Sequence, residues 1–190
     1  MSVAFPAGRG FGLLLALILA VSHTGCASAP RRAPVSEVRS LQFALVSLAP
    51  TVEAGEAEDV ARCAYDYPVV LAARYRAVRP ALLHNFLVNS GFRERGLCYE
   101  WAEDLLAELQ IRDLQSLELH WGIAHADTPR EHNSIVVTAT GRPFEEGIVL
   151  DAWRRSGRLV WVPVTADKYP WVEGELTNAP AADSPAAVMP

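Results

Sequence analysis

Hydrophobic and polar residues alternate with a helical period in the first part of the chain. Apolar positions recur every three or four residues in "EAEDVARCAYDYPVVLAARYR", "PALLHNFLVNSG" and "CYEWAEDLLAELQ", which predicts amphipathic helices. Pro68 lies inside the first of these segments and predicts a kink or a division of that helix. Pro80 opens and Gly91 closes the second segment, as is typical of helix ends.

After Gln110 the pattern changes to alternation and to β-forming residues. Strands are predicted in "LQSLELHWGIA", "HNSIVVTAT", "EGIVLDAW" and "RLVWVPV", and the breaks "ADTPRE", "GRPFE" and "RRSG" predict turns between them. Connections this short favour antiparallel pairing. We therefore predict an α+β fold in which N-terminal helices pack on one face of an antiparallel β-sheet.

The N-terminus carries an export signal. Arg9 precedes an apolar run, Phe11–Val21, which is too short to span a bilayer and is typical of a signal peptide. The following Gly25-Cys26 pair resembles the lipobox of bacterial lipoproteins, which implies cleavage before Cys26 and attachment of lipid to its thiol. The alternative is ordinary cleavage after "ASA" (27–29), which would remove Cys26.

The chain is thereby divided into four parts. Residues 1–25 form the signal peptide, 26–36 a Pro-rich tether, 37–175 the folded domain and 176–190 an Ala/Pro tail that we expect to be disordered. The lipoprotein resemblance, with Ala after Cys26, implies an outer-membrane lipoprotein that faces the periplasm. The protein would associate with the membrane through this lipid anchor.

Composition narrows the classes of function. The chain has 190 residues, of which 51% are hydrophobic and 21% charged, as expected for one globular domain with a core. The formal net charge is −5, and no block of basic residues occurs. Nucleic-acid binding is excluded on this ground, because contacts to phosphates need a clustered basic surface.

Three residues with reactive side chains fall at the ends of predicted elements. Cys98 begins the third helix, where free N–H groups and the helix dipole favour a thiolate. His132 opens one strand and Asp151 closes the next, 19 residues later, so a hairpin with about nine residues in each arm would make them cross-strand neighbours. A carboxylate beside an imidazole fixes its tautomer and supports the imidazolium.

This order of residues resembles the transglutaminase-like cysteine peptidase superfamily, whose core is papain-like. The matching positions are Cys98 in "GLCYEWA", His132 in "REHNSIV" and Asp151 in "IVLDAW". The resemblance implies that Cys98 is the nucleophile, His132 the general base and Asp151 the orienting acid. It further implies amide cleavage or acyl transfer through a thioester, on a peptide or protein substrate and without a metal or another cofactor.

A thioester-forming enzyme also needs an oxyanion hole. The backbone N–H of Cys98 is the expected first donor. Asn85 or Asn89, upstream of the nucleophile, would supply the second, and the sequence does not choose between them.

Other interpretations of the same residues remain open. Cys98 could be a buried structural thiol, or could form a disulfide with Cys63, because exported proteins favour disulfides. Zinc would need imidazoles close to that thiol, but His120 and His125 are five residues apart on strand-like sequence and should face opposite sides, so no metal is expected. A further alternative is an inactive relative that binds a peptide or protein partner.

Overall fold

The computed structural model describes residues 33–176, which form four α-helices followed by a five-stranded antiparallel sheet. The predicted α+β class is confirmed. The helices are α1 (Val35–Val46), α2 (Ala54–Arg74), α3 (Ala81–Asn89) and α4 (Cys98–Gln110). The strands are β1 (Leu117–Ala124), β2 (His132–Ala139), β3 (Ile148–Asp151), β4 (Val160–Pro163) and β5 (Trp171–Gly174), and two short 3-10 helices cover Phe144–Glu146 and Val164–Ala166.

The strands lie in the order β4-β3-β2-β1-β5, and every neighbouring pair is antiparallel. Strands β1 to β4 follow one another as a meander, as the short connections predict. Strand β5 is an addition to the prediction and pairs with the end of β1, where Trp171 stands opposite Ala124. It is only four residues long and follows Pro170, so it offers too little alternation to be recognised.

The sheet separates two apolar clusters. On one face, Ile135, Val137 and Leu150 pack with the helices in the main core, together with Trp101 and Leu105 of α4. On the other face a smaller cluster is closed by the two 3-10 helices; its members are Ala124, Val136, Phe144, Val149, Val164 and Trp171. The α-helices therefore pack on one face, as predicted.

The helical half differs from the prediction in two details. Helix α2 continues through Pro68, which is buried, so the predicted division does not occur; the buried surface of a 21-residue helix outweighs the one backbone bond that proline removes. Helix α1 was not predicted as an element, and it begins at Val35, inside the segment assigned to the tether.

The predicted signal peptide (1–25), Cys26, most of the tether and all but the first residue of the tail (176–190) lie outside the described residues. Within 33–176, no helix combines the length and the apolar character that crossing a membrane requires.

Candidate active site

The turn before α4 is shaped around a buried histidine. Gly96 has φ +127°, a conformation that favours glycine, and a Cβ at this position would lie 2.2 Å from His84 Nε2. His84 is itself fixed, because Nδ1 accepts the Val78 N–H (3.4 Å) and Nε2 donates to the Arg95 carbonyl (3.0 Å). Gly96 thus allows the chain to pass closely over His84 just before Cys98.

Side chains of α4 fold back to hold the same turn. The Glu100 carboxylate accepts the N–H groups of Gly96 (2.6 Å) and Leu97 (2.8 Å), and the Trp101 indole N–H donates to the Gly96 carbonyl (2.9 Å). A carboxylate in the first turn also suits the positive end of the helix dipole. The helix consequently begins at Cys98, as predicted, in a fixed position.

His132 and Asp151 meet at one end of the sheet. Strand β2 begins at His132 and β3 ends at Asp151, and the His132 Nε2–H donates to Asp151 Oδ2 at 2.5 Å. Ile135 stands opposite Leu150, so Asp151 lies opposite position 134 and touches His132 diagonally rather than directly across. The diagonal arises because β3 is shorter than the predicted arm and the connection contains a 3-10 helix.

The Asp151 carboxylate is buried and accepts four N–H donors. Oδ2 receives His132 Nε2 and Arg154 Nε (2.6 Å), while Oδ1 receives the backbone N–H groups of Trp153 and Arg154 (both 2.9 Å). Burial acts to raise the pKa of Asp151, but the hydrogen bond from His132 and the charges of His132 and Arg154 hold that pKa below its usual value. Asp151 is therefore ionised.

Arg154 connects this carboxylate to a second one. Its Nη1 donates to Asp167 Oδ1 (3.0 Å) and its Nη2 to Asp167 Oδ2, a two-point contact. The guanidinium carbon lies 4.6 Å from the centre of the Tyr169 ring, and the Trp171 indole N–H donates to Asp167 (2.9 Å). Arg154 is thereby held from two sides against Asp151.

The environment of His132 favours the imidazolium. Its side chain is 3% exposed and packs against Trp153, Tyr169 and Trp171, with ring centres 4.8–5.3 Å away. Burial alone would lower the pKa of His132, but its hydrogen bond with Asp151 and its interaction with Cys98 outweigh burial and raise the pKa to about 9. The ring is thus protonated at neutral pH.

Cys98 and His132 lie on the same cleft. The Cys98 thiol donates to the Glu131 carbonyl at 3.8 Å, one residue before His132. With Nε2 committed to Asp151, Nδ1 is the imidazole nitrogen left for the sulfur, and it is buried with no hydrogen-bond partner among residues 33–176. The thiol is therefore close enough to the imidazole to contribute to its raised pKa, and it also contacts a backbone oxygen.

The cleft has a volume of about 370 Å³. Its lining residues are Leu82, Asn85, Cys98, His125, Pro129, Arg130, Glu131, His132, Trp153, Lys168 and Tyr169. Of the two asparagines predicted for the oxyanion hole, Asn85 lines it, whereas Asn89 is exposed at the end of α3 and does not.

Asn85 is oriented by the Trp153 indole. The indole N–H can only donate, so the atom it meets at 2.9 Å is Asn85 Oδ1 and the amide NH₂ points elsewhere. Within the described residues that NH₂ has no acceptor. The Cys98 backbone N–H is likewise left without an intrahelical acceptor by its place in the first turn.

Cys63 and His120 lie apart from this group, whereas His125 lines the same cleft. Cys63 and Cys98 are both free thiols; Cys63 is buried in the core, and burial raises its pKa to about 12. His120 lies between Glu173 and Thr138 further along the sheet, and His125 follows the end of β1 at the cleft. In residues 33–176, no three His, Cys, Asp or Glu side chains are grouped so as to hold a metal ion.

Three residues of the site were not predicted from the sequence: Arg154, Asp167 and Tyr169. They lie in turns after β3 and β4, where no hydrophobic period exists to place them. The one feature of the sequence that could have indicated any of them is the position of Arg154, three residues after Asp151.

Compared with protein-family models, with curated proteins and with solved structures, the chain has no match in any of the three.

Proposed function

We propose that this chain is an exported cysteine hydrolase or acyltransferase that acts on peptide or amide bonds through a thioester. The observation that carries the proposal is the state of His132. One nitrogen is held by the ionised Asp151, and the other is buried without a partner beside the Cys98 thiol. An imidazolium next to a thiol favours the thiolate, which is the nucleophilic form. The transglutaminase-like, papain-like assignment of the core belongs to this proposal.

The proposed reaction has two steps. The Cys98 thiolate attacks the amide carbonyl, the C–N bond breaks, and the amine leaves with the proton of the His132 imidazolium. His132 then takes a proton from water or from an acceptor amine, which attacks the thioester and releases the acid or the new amide together with the thiolate. The Cys98 N–H and the Asn85 NH₂ are the donors proposed for the oxyanion.

Thiol labelling tests the proposal without knowledge of the substrate. We expect iodoacetamide at neutral pH to alkylate Cys98 rapidly and Cys63 slowly, because Cys63 is 5% exposed and its thiol stays protonated. The His132→Gln variant, which removes the imidazolium, should slow labelling of Cys98 and leave that of Cys63 unchanged. Equal rates for Cys98 in both proteins, measured by mass spectrometry of the two peptides, would contradict the proposal.

Turnover is the second part of the test. Incubation with a library of peptide amides should add an acyl mass to the Cys98 peptide. The Cys98→Ser and His132→Ala variants should lose product formation by about a thousandfold or more.

A peptide-binding protein without turnover is the second candidate. The observation that favours it is the contact of the Cys98 thiol with the Glu131 carbonyl (3.8 Å), because a carbonyl oxygen cannot take up the thiol proton as a general base does. In that case peptides would bind in the cleft of wild-type and Cys98→Ser proteins equally, and no acyl mass would appear on Cys98.

Anchoring at the outer membrane, facing the periplasm, is part of the same proposal and rests on the Gly25-Cys26 motif after the apolar run. The mass of the N-terminal peptide distinguishes a lipid-modified Cys26 from a chain cut after Ala29.

A further inference from the structure

Helix α3 has its apolar residues on the outside. Leu82, Phe86 and Phe92 are 70%, 61% and 68% exposed, and Leu83 is 45% exposed. The opposite side of the same helix carries His84, which is buried. No described residue covers the outer face, which is the reverse of what a helix on the surface of a globular protein normally shows.

Phe92 is continuous with α3 rather than part of a separate loop. Its N–H and that of Arg93 both donate to the Leu87 carbonyl (2.8 and 3.1 Å), so the chain turns back over the helix end. The exposed ring therefore lies at the C-terminal end of α3.

Arginines flank this apolar face at both ends. Arg79 stands two residues before α3, while Arg93 follows Phe92 and donates to the Arg76 carbonyl at 3.3 Å, which joins it to Arg76. Within 33–176 none of these three arginines is in an ion pair with a carboxylate, and Glu94 is the acidic neighbour in sequence. Arg76, Gly91, Phe92 and Arg93 share the wall of a second cavity of about 340 Å³.

We propose that this surface, made of Leu82, Leu83, Phe86 and Phe92 with Arg76, Arg79 and Arg93, docks on an anionic lipid bilayer. Leucine and phenylalanine on one face with arginines at its rim is the pattern by which short amphipathic helices lie in a membrane interface. Each arginine near an anionic surface adds about 1 kcal/mol of attraction. The guanidinium groups would meet lipid phosphates while the apolar side chains enter the acyl boundary.

The expected lipid anchor at Cys26 is the reason to propose a bilayer rather than a protein as the partner of this surface. If Cys26 carries lipid, six residues lie between it and Ala33, and the seven Cα–Cα steps give a reach of at most about 25 Å. The domain would stay close to the bilayer, where even weak docking is effective. Leu82 also lines the cleft of Cys98, so docking would hold that cleft at the membrane surface.

Hydrogen exchange of the full chain tests the proposal at the level of single segments. We expect equimolar phosphatidylcholine and phosphatidylglycerol vesicles to slow amide exchange in residues 81–93, and phosphatidylcholine vesicles alone to have a smaller effect. The local measurement separates this contact from binding by the apolar run Phe11–Val21.

Two pairs of variants serve as matched controls. Phe86→Asp should lose the protection of residues 81–93, whereas Phe43→Asp, at an equally exposed phenylalanine on α1, should keep it. Arg76→Gln combined with Arg79→Gln should lose the preference for anionic vesicles, and Arg155→Gln should keep it.

Three results would overturn the proposal. They are absence of protection on anionic vesicles, equal protection on neutral ones, and protection that depends on protein concentration without vesicles, which would indicate a second copy as the occupant. The proposal is independent of catalysis, because iodoacetamide labelling of Cys98 should be the same in Phe86→Asp as in the wild type.

Discussion

At the scale of single residues, the hydrogen-bond donors around Asp151 require a carboxylate at that position. Both carboxylate oxygens face N–H groups, two on each oxygen. An amide in the same place would turn its NH₂ towards donors in either orientation, because no acceptor is among the four partners. Asp151 therefore has a structural role in addition to the orienting role that the sequence predicts.

Asp151→Asn should consequently lower the free energy of unfolding by about 3–5 kcal/mol, the usual cost of removing one member of a buried charge pair. Cys98→Ser should change it by less than about 0.5 kcal/mol, since the cleft leaves that side chain partly exposed. Urea unfolding followed by tryptophan fluorescence measures both. An Asp151→Asn protein as stable as the wild type would show that the four donors do not constrain the site.

The positions of the three proposed catalytic residues can be predicted from sequence spacing. The residues that hold them in place cannot. Cys98, His132 and Asp151 lie at element ends that the hydrophobic pattern marks, so their neighbourhood could be predicted. Arg154 and Asp167 are 13 residues apart and meet because the turn after β3 and the segment before β5 converge at one end of the sheet. Turn conformation depends on contacts between distant segments, which a single sequence does not display.

At the scale of elements, the start of α4 is the feature on which the site depends. The Gly96 turn, the Glu100 carboxylate and the Trp101 indole together set the position of Cys98. The sequence predicts that a helix begins at Cys98 but assigns no cause to Gly96. The cause is His84, 12 positions earlier on α3, and no periodic signal connects the two.

Gly96→Ala should therefore destabilise the domain by about 2–4 kcal/mol and slow labelling of Cys98, because the new Cβ would overlap the His84 ring and the backbone would be strained. Gly55→Ala is the matched control. Gly55 lies in the first turn of α2, nothing is within 4 Å of its would-be Cβ, and alanine there should add up to about 1 kcal/mol of stability. Equal melting temperatures for the two variants would rule out the packing of Gly96 against His84.

Helix α1 and strand β5 could not be predicted from the sequence for the same physical reason. Helix α1 keeps Leu41 and Leu45 fully buried but also carries the exposed Phe43 on another face, so its apolar residues do not mark one face in the sequence. Strand β5 has four residues and gains its place only by pairing with β1. Both are fixed by the surface they pack against, and that surface exists only after the central elements have assembled.

At the scale of the whole molecule, the candidate active site contains a buried cluster of charges inside a small domain. Asp151, Asp167 and Arg154 have side chains that are 1%, 4% and 13% exposed, and together they carry one net negative charge. The His132 imidazolium brings the total to zero. Burial acts to lower the pKa of His132, but the hydrogen bond and charge of Asp151, together with Cys98, raise it and so couple the folding of the domain to the protonation of its proposed base.

The stability of the domain should consequently fall as pH rises through the titration of His132. The folded pKa is about 9 and the ordinary value is 6.5, so the stabilisation is complete below pH 6.5 and is lost as pH approaches 9. The expected loss is about 3 kcal/mol. Burial raises the pKa of Cys63 to about 12, so Cys63 would change the pH dependence of stability only above pH 9. Urea unfolding at a series of pH values should show a slope between pH 6.5 and 9 that His132→Gln abolishes and Cys63→Ala retains. If the free energy of unfolding of the wild type does not change between pH 6.5 and 9, the pKa of His132 is not raised by folding.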